Sequence, residues 1–115
     1  MEKEDKKINQ LLDSLATIKQ LQEYIKITAD QRGFSGETIT EKMLLMVEEV
    51  GELAKSLRKF IGLKVDVEKA DKYSKARHEI ADILFYLVDI ANKLDIDILQ
   101  AFKEKEIENI KRVWK

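Results

Sequence analysis

Five acidic residues stand at spacings suited to binding a cation: Glu48, Glu49 and Glu52 in an EExxE pattern, then Glu79 and Asp82 in an ExxD pattern. Successive residues of a helix turn by about 100°, so positions three or four apart share a face. On a helix, Glu49 therefore neighbours Glu52, and Glu48 lies one turn before Glu52. Glu79 and Asp82 likewise share a face, with Tyr86 next along the stripe. If the two helices pack antiparallel, the two acidic pairs face one another. Four or five carboxylates in one cleft repel strongly unless a cation neutralises them or some take up protons. Ligands that are all oxygen favour a hard ion, magnesium, manganese or calcium, over zinc. The sole histidine, His78, adjoins Glu79 but points about 100° away from it, and one imidazole cannot build a zinc site. A di-iron bundle is excluded as well, because no glutamate stands three residues before His78.

Glutamate pairs on helices are usually a solvated face, and that is the ordinary reading of Glu48, Glu49 and Glu52 taken alone. Asp82 argues otherwise. It interrupts the apolar run from Ile80 to Val88, where a charge without a partner is expensive to bury. Glu79, one turn earlier, makes Asp82 half of a pair. The competing explanation is a structural salt bridge from Asp82 to a lysine of another helix.

Helices carry these acids. Proline is absent and glycine occurs four times in 115 residues, which favours long helices over tight hairpins. Ile8, Leu11, Leu12, Leu15, Ile18, Leu21 and Ile25 recur at helical spacing and predict a first helix over about residues 5–30. Gly33 and Gly36 interrupt it. Thr38 with Glu41 reads as a capping box that opens a second helix, ended by Gly62. Residues 63–72 are polar and form the main connection. A third helix spans about 73–93, and Asp95 caps a fourth that runs to about Val113. The expected fold is all-α, a single domain over residues 1–115 built as a four-helix bundle-like protomer.

Met43 to Val47 and Ile80 to Val88 are apolar around nearly the whole helix circumference. Such helices must be buried all round, and a domain this small has little interior to offer. A homo-oligomer follows, most simply a dimer with these helices at its centre. The 21 basic and 22 acidic residues nearly cancel, so the net charge of −1 gives no reason to expect nucleic acid or an acidic membrane as partner. Without cysteine there is no disulfide and no thiolate metal site. The charged N-terminus lacks the apolar run of a signal peptide, and no segment approaches the roughly 20 apolar residues of a membrane span, so the cytoplasm is the expected location.

Glu48-Glu49-Val50-Gly51-Glu52-Leu53 followed by Glu79-Ile80-Ala81-Asp82 resembles the signature of the MazG-like nucleotide pyrophosphohydrolases. The likeness extends over about residues 15–115. Lys42 to Leu57 is similar to the family's motif helix, and Ala101 to Lys105 with Asn109, Arg112 and Trp114 is similar to its C-terminal helix. Arg32-Gly33-Phe34 resembles the preceding loop, although many members carry tryptophan where this chain has Phe34. The resemblance implies magnesium-dependent hydrolysis of a nucleoside triphosphate to the monophosphate and pyrophosphate, by a homodimer or homotetramer. It carries the metal ligands over to Glu49, Glu52, Glu79 and Asp82. Glu48 is left to orient or deprotonate water, and manganese is the natural substitute for magnesium.

Lys105, Asn109 and Arg112 fit contacts to the phosphates, with Lys42 or Lys55 as alternates, and Phe34, Tyr86 or Trp114 could stack on a base. The ordinary alternatives are solvated helix charge for the cations and core packing for the aromatics. Two further functions compete: a non-catalytic helical interaction module, and hydrolysis of a specialised substrate such as phosphoribosyl-ATP or dUTP.

Overall fold

A computed structural model of the chain describes the backbone of residues 2–62 and 66–112, and the side chains of residues 2–62 and 73–112. Among the described residues there are five α-helices, a 3-10 turn at Phe34–Gly36 and no strand: α1 Glu2–Asp13, α2 Ile18–Gln31, α3 Ile39–Gly62, α4 Asp66–Lys93 and α5 Ile98–Lys111. The all-α expectation holds, while three boundaries differ for identifiable reasons.

The first helix is broken in two. Thr17 leaves helical geometry (φ −122°, ψ 159°) and opens α2 with a capping box. The Gln20 amide donates to Thr17 Oγ1 at 3.1 Å, and the Thr17 amide donates back to Gln20 Oε1 at 3.0 Å. The Ala16 amide adds a bond of 2.8 Å to the same oxygen. Apolar periodicity runs through this break because Leu15 and Ile18 keep helical spacing, so periodicity alone hides it. At the other end of α2, Gly33 takes φ +80°, a left-handed conformation that favours glycine.

Asp95 closes α4 instead of opening α5. It sits at φ 54°, the Asp95 amide bonds Asn92 O at 3.1 Å, and the Ile96 amide bonds Ala91 O at 2.9 Å. That pair of bonds is a Schellman ending, with an aspartate in the position glycine usually fills. Asp97 caps α5 through Oδ1, which accepts from the Gln100 amide at 3.0 Å. The connection expected over residues 63–72 is shorter than read, because α4 begins at Asp66. The end predicted at Val113 lies outside the described residues, as does Trp114.

The chain divides into two compact units, Met1–Gly36 with Ala91–Lys115, and Glu37–Ile90. In the first, α2 packs against α1, the 3-10 turn and α5. Gln22 ties α2 to the α4–α5 turn: its amide donates to Asn92 Oδ1 (3.0 Å) and Ile96 O (2.8 Å), and its oxygen accepts from the Ile98 amide (2.9 Å). Asn92 returns a bond to Gln22 O at 2.9 Å.

In the second unit, α3 opens on Thr38, whose Oγ1 accepts from the Glu41 amide and donates to Glu41 Oε1, both at 3.1 Å. The helices α3 and α4 run antiparallel, as three cross-helix pairs establish. Lys42 meets Asp89, Ser56 meets Glu79, and the Phe60 and Tyr73 rings lie 5.9 Å apart. Partner numbers fall on α4 as they rise on α3. Ala76 and Val88 are buried in this unit together with the polar residues Lys42, Ser56, Glu79 and Asp89. Much apolar surface on the same helices stays exposed, including Leu44 (66 %), Val47 (53 %), Ile61 (77 %) and Ile80 (54 %).

Candidate metal-binding site

The polar residues on the face of α3 that meets α4 follow a repeat. Lys42, Glu49 and Ser56 recur every seven residues and so lie on nearly one line along the helix. Their counterparts on α4 are Asp89, the region of Asp82 and Tyr86, and Glu79. The acidic residues thus sit in the middle of a hairpin seam, flanked by a lysine–carboxylate pair on one side and a serine–carboxylate pair on the other.

Glu49 is half-buried, whereas Glu48, Glu52 and Asp82 are exposed. The Glu49 carboxyl is held above its ordinary range, first by partial burial and then by the negative charges of Asp82, Glu48, Glu79 and Glu52. All four other acids of the sequence pattern therefore act on Glu49. The Tyr86 hydroxyl is raised too, by burial first, then by Glu49, Glu37, Asp82 and Glu48. In side-chain detail the acids are spread along the seam. Among the described residues, no group of three His, Asp or Glu side chains is gathered closely enough to hold a metal ion.

Two expectations about individual residues change. The apolar run around Asp82 predicts a buried carboxylate, yet Asp82 is exposed, as are Ile80, Leu84 and Leu87 of the same run. The carboxylate whose position demands explanation is Glu79, only 6 % exposed. Its Oε1 accepts a 2.9 Å hydrogen bond from the Ser56 hydroxyl, while the buried Oε2 has no hydrogen-bond partner among the described residues. A buried carboxylate oxygen left without a donor is costly. It suits a hard divalent cation, as does a donor set made wholly of carboxylates.

Lys42, offered above as a phosphate-binding alternate, is buried completely. Its ammonium lies 2.6 Å from Asp89 Oδ2 and 3.7 Å from Glu37 Oε1. An ammonium committed to two carboxylates is not available to a phosphate. Lys55 is exposed. Ser56, Asp89 and Glu37 escaped the sequence reading. The spacing of seven from Glu49 to Ser56 and to Lys42 is the signal that could have found the polar seam.

The residues expected to contact substrate belong to the other unit. Phe34 is half-buried in the 3-10 turn. Lys105 forms an exposed ion pair with Glu108 at 3.1 Å. Asn109 donates to Glu106 Oε2 at 3.0 Å, and the Arg112 amide closes α5 on Asn109 O at 3.1 Å. Lys105 and Asn109 are four residues apart and share a face of α5.

The family model of the MazG nucleotide pyrophosphohydrolase domain matches residues 37–114. Comparisons with curated proteins and with solved structures give no significant match. The matched segment contains the five acids, Lys105, Asn109 and Arg112. It begins after Phe34, so the likeness read from residue 15 onward is supported only from Glu37. Both acidic motifs fall, in order, within a match that covers well over half of the chain, and on that ground the protein belongs to the MazG nucleotide pyrophosphohydrolase domain family.

Proposed function

We propose that this chain, acting as a single domain over residues 1–115, hydrolyses nucleoside triphosphates, deoxynucleotides or non-standard forms included, to the monophosphate and pyrophosphate with magnesium. The observation that carries the reading is the acidic seam of α3 and α4. Five carboxylates lie along two facing helices inside the family-matched segment, and four of them raise the proton affinity of the fifth, Glu49. Like charges held together this way are stabilised by a cation.

Glu49, Glu52, Glu79 and Asp82 would hold magnesium, with manganese as a substitute. Glu79 is fixed by Ser56 and buried, while exposed Glu52 and Asp82 are free to rotate toward it. Magnesium bound there supplies charge neutralisation and polarisation of phosphate oxygens. Glu48, exposed one turn before Glu52, accepts a proton from the attacking water. As the water oxygen bonds to the α-phosphorus, the bond to the β-phosphate bridging oxygen breaks and pyrophosphate leaves. Lys105, Asn109 and Arg112 serve the phosphates and Phe34 the base. The exposed apolar surface of α3 and α4 supports a homodimer or homotetramer. No helix among the described residues is long and apolar enough to cross a membrane, and we place the protein in the cytoplasm, beside its nucleotide substrates.

The test is a panel of ribo- and deoxynucleoside triphosphates incubated with magnesium and assayed for pyrophosphate and monophosphate. Release of pyrophosphate from at least one member, lost in Glu52→Ala and Asp82→Ala, is the expected result. No release from any triphosphate would favour a non-catalytic interaction module.

A further inference from the structure

Lys42 is the most deeply buried charged side chain described here, with no exposed surface, and Asp89 is only 6 % exposed. Two charges taken out of water at this cost seldom stabilise a fold better than apolar residues of the same volume. The better-attested use of such a pair is to specify how two elements pair. Its position fits that use. Lys42 lies one heptad before Glu49, and Asp89 lies one heptad after Asp82, so the 2.6 Å pair and the central acids occupy the same seam. Sliding α3 along α4 by one helical turn would displace Glu49 by about 5.4 Å and leave a buried ammonium without its carboxylate. At the far end the Ser56–Glu79 bond involves a site residue, so Lys42–Asp89 is the polar lock that stands clear of the ligands.

We infer that Lys42 and Asp89 are positioning residues, whose buried ion pair sets the register of α3 against α4 that brings Glu49 opposite the stretch of α4 around Asp82 and Glu79 beside Ser56. The inference rests on the reading of those acids as a divalent-cation site. Both residues act through the helices and touch neither substrate nor cation.

Calorimetric titration of the full chain with manganese chloride tests it, with thermal melts in chelator run alongside. In Lys42→Met/Asp89→Leu both charges of the 2.6 Å pair are removed together, so neither is left buried without the other, and Glu37, the second carboxylate near the ammonium, has a side chain 23 % exposed to water. The expected result is a cooperative melt at or above that of the wild type with manganese binding weakened about tenfold, the scale at which mispositioned outer groups act on metal ligands. A pair that served stability alone would change the melt and leave the affinity alone. Unchanged affinity in the folded double variant overturns the inference. If that variant does not fold, Asp89→Asn, which keeps the side-chain shape, takes its place: weaker manganese binding supports the lock and unchanged binding overturns it. Failure of the wild-type chain to bind manganese at all refutes the metal reading itself, and is distinct from a wild type that binds with variants that bind equally well.

Discussion

Ser56→Ala isolates the one hydrogen bond that, among the described residues, reaches a carboxylate of the proposed metal site. Ser56 is 3 % exposed and Glu79 6 %, so neither group can replace its partner with bulk water without local opening. Among the described residues Glu79 Oε2 has no hydrogen-bond partner, and removing the hydroxyl deprives Oε1 of its 2.9 Å donor as well. Hydrogen bonds to charged groups contribute about 1.5–3 kcal/mol, and a buried acceptor left unsatisfied costs a similar amount. A loss of about 2 kcal/mol lowers the melting temperature of a chain of this size by roughly 8 °C. The measurement is a circular-dichroism melt in chelator, repeated for Glu79→Gln and for the double variant. The coupling between the two changes should exceed about 1 kcal/mol. A second readout follows from position: with Glu79 less firmly held, the magnesium concentration for half-maximal turnover should rise several-fold. A Ser56→Ala melt within about 1 °C of wild type, with no coupling to Glu79, would mean that the bond contributes nothing and would overturn this role for Ser56.

Three further outcomes are expected. Glu52→Ala and Asp82→Ala should each reduce turnover by more than about a hundredfold while the helical signal at 222 nm persists, because each removes repulsion along with a ligand; full activity in the Asp82 variant would end its assignment as a ligand. Glu49 gives a pH signature. Its carboxyl lies above the ordinary 4.5, so the folded protein binds that proton more tightly than the unfolded chain. Metal-free stability should therefore fall as pH rises through the window above 4.5, and recover as pH drops back through it. Glu49→Gln should remove this component and magnesium should mask it, and a pH dependence identical in the wild type and Glu49→Gln would count against the coupling. Finally, light scattering should find a dimer or tetramer at micromolar concentration. Val47→Glu or Ile80→Glu, which put charges on the exposed apolar faces, should shift it toward monomer. A wild-type monomer at that concentration would dispose of the oligomer.

The acids themselves were legible as a set, because helical spacing puts Glu49 beside Glu52 and Glu79 beside Asp82 without reference to any other part of the chain. Their individual circumstances were not. An apolar run around Asp82 looks like a core position only if the run is buried, and burial is a property of what packs on it. Here Ile80, Leu84 and Leu87 are themselves exposed, so the run is no core; Asp82 is exposed as well, while Glu79 turns inward to Ser56. Lys42 shows the same limit from the other side. One lysine among many on a charged helix reads as solvated, and only the approach of Asp89, which lies far along the chain, makes it a buried ion pair.

Local chemistry explains the rest of the division. Helix content, the opening of α3 at Thr38 and the break after α2 at Gly33 depend on neighbouring residues, so they can be read from local sequence. Thr17-x-x-Gln20 was equally local and was masked only by uninterrupted apolar spacing. The Asp95 turn was decided by geometry, since an aspartate serves either as an N-cap or as a left-handed helix ending, and its backbone bonds to Asn92 and Ala91 select the second. What the tertiary structure alone decided is the seam. Antiparallel pairing of α3 and α4 sets which carboxylate is buried, which is exposed, and which lysine is withdrawn from solvent. Those outcomes arise from contacts between residues distant in sequence, for which spacing along one helix carries no information.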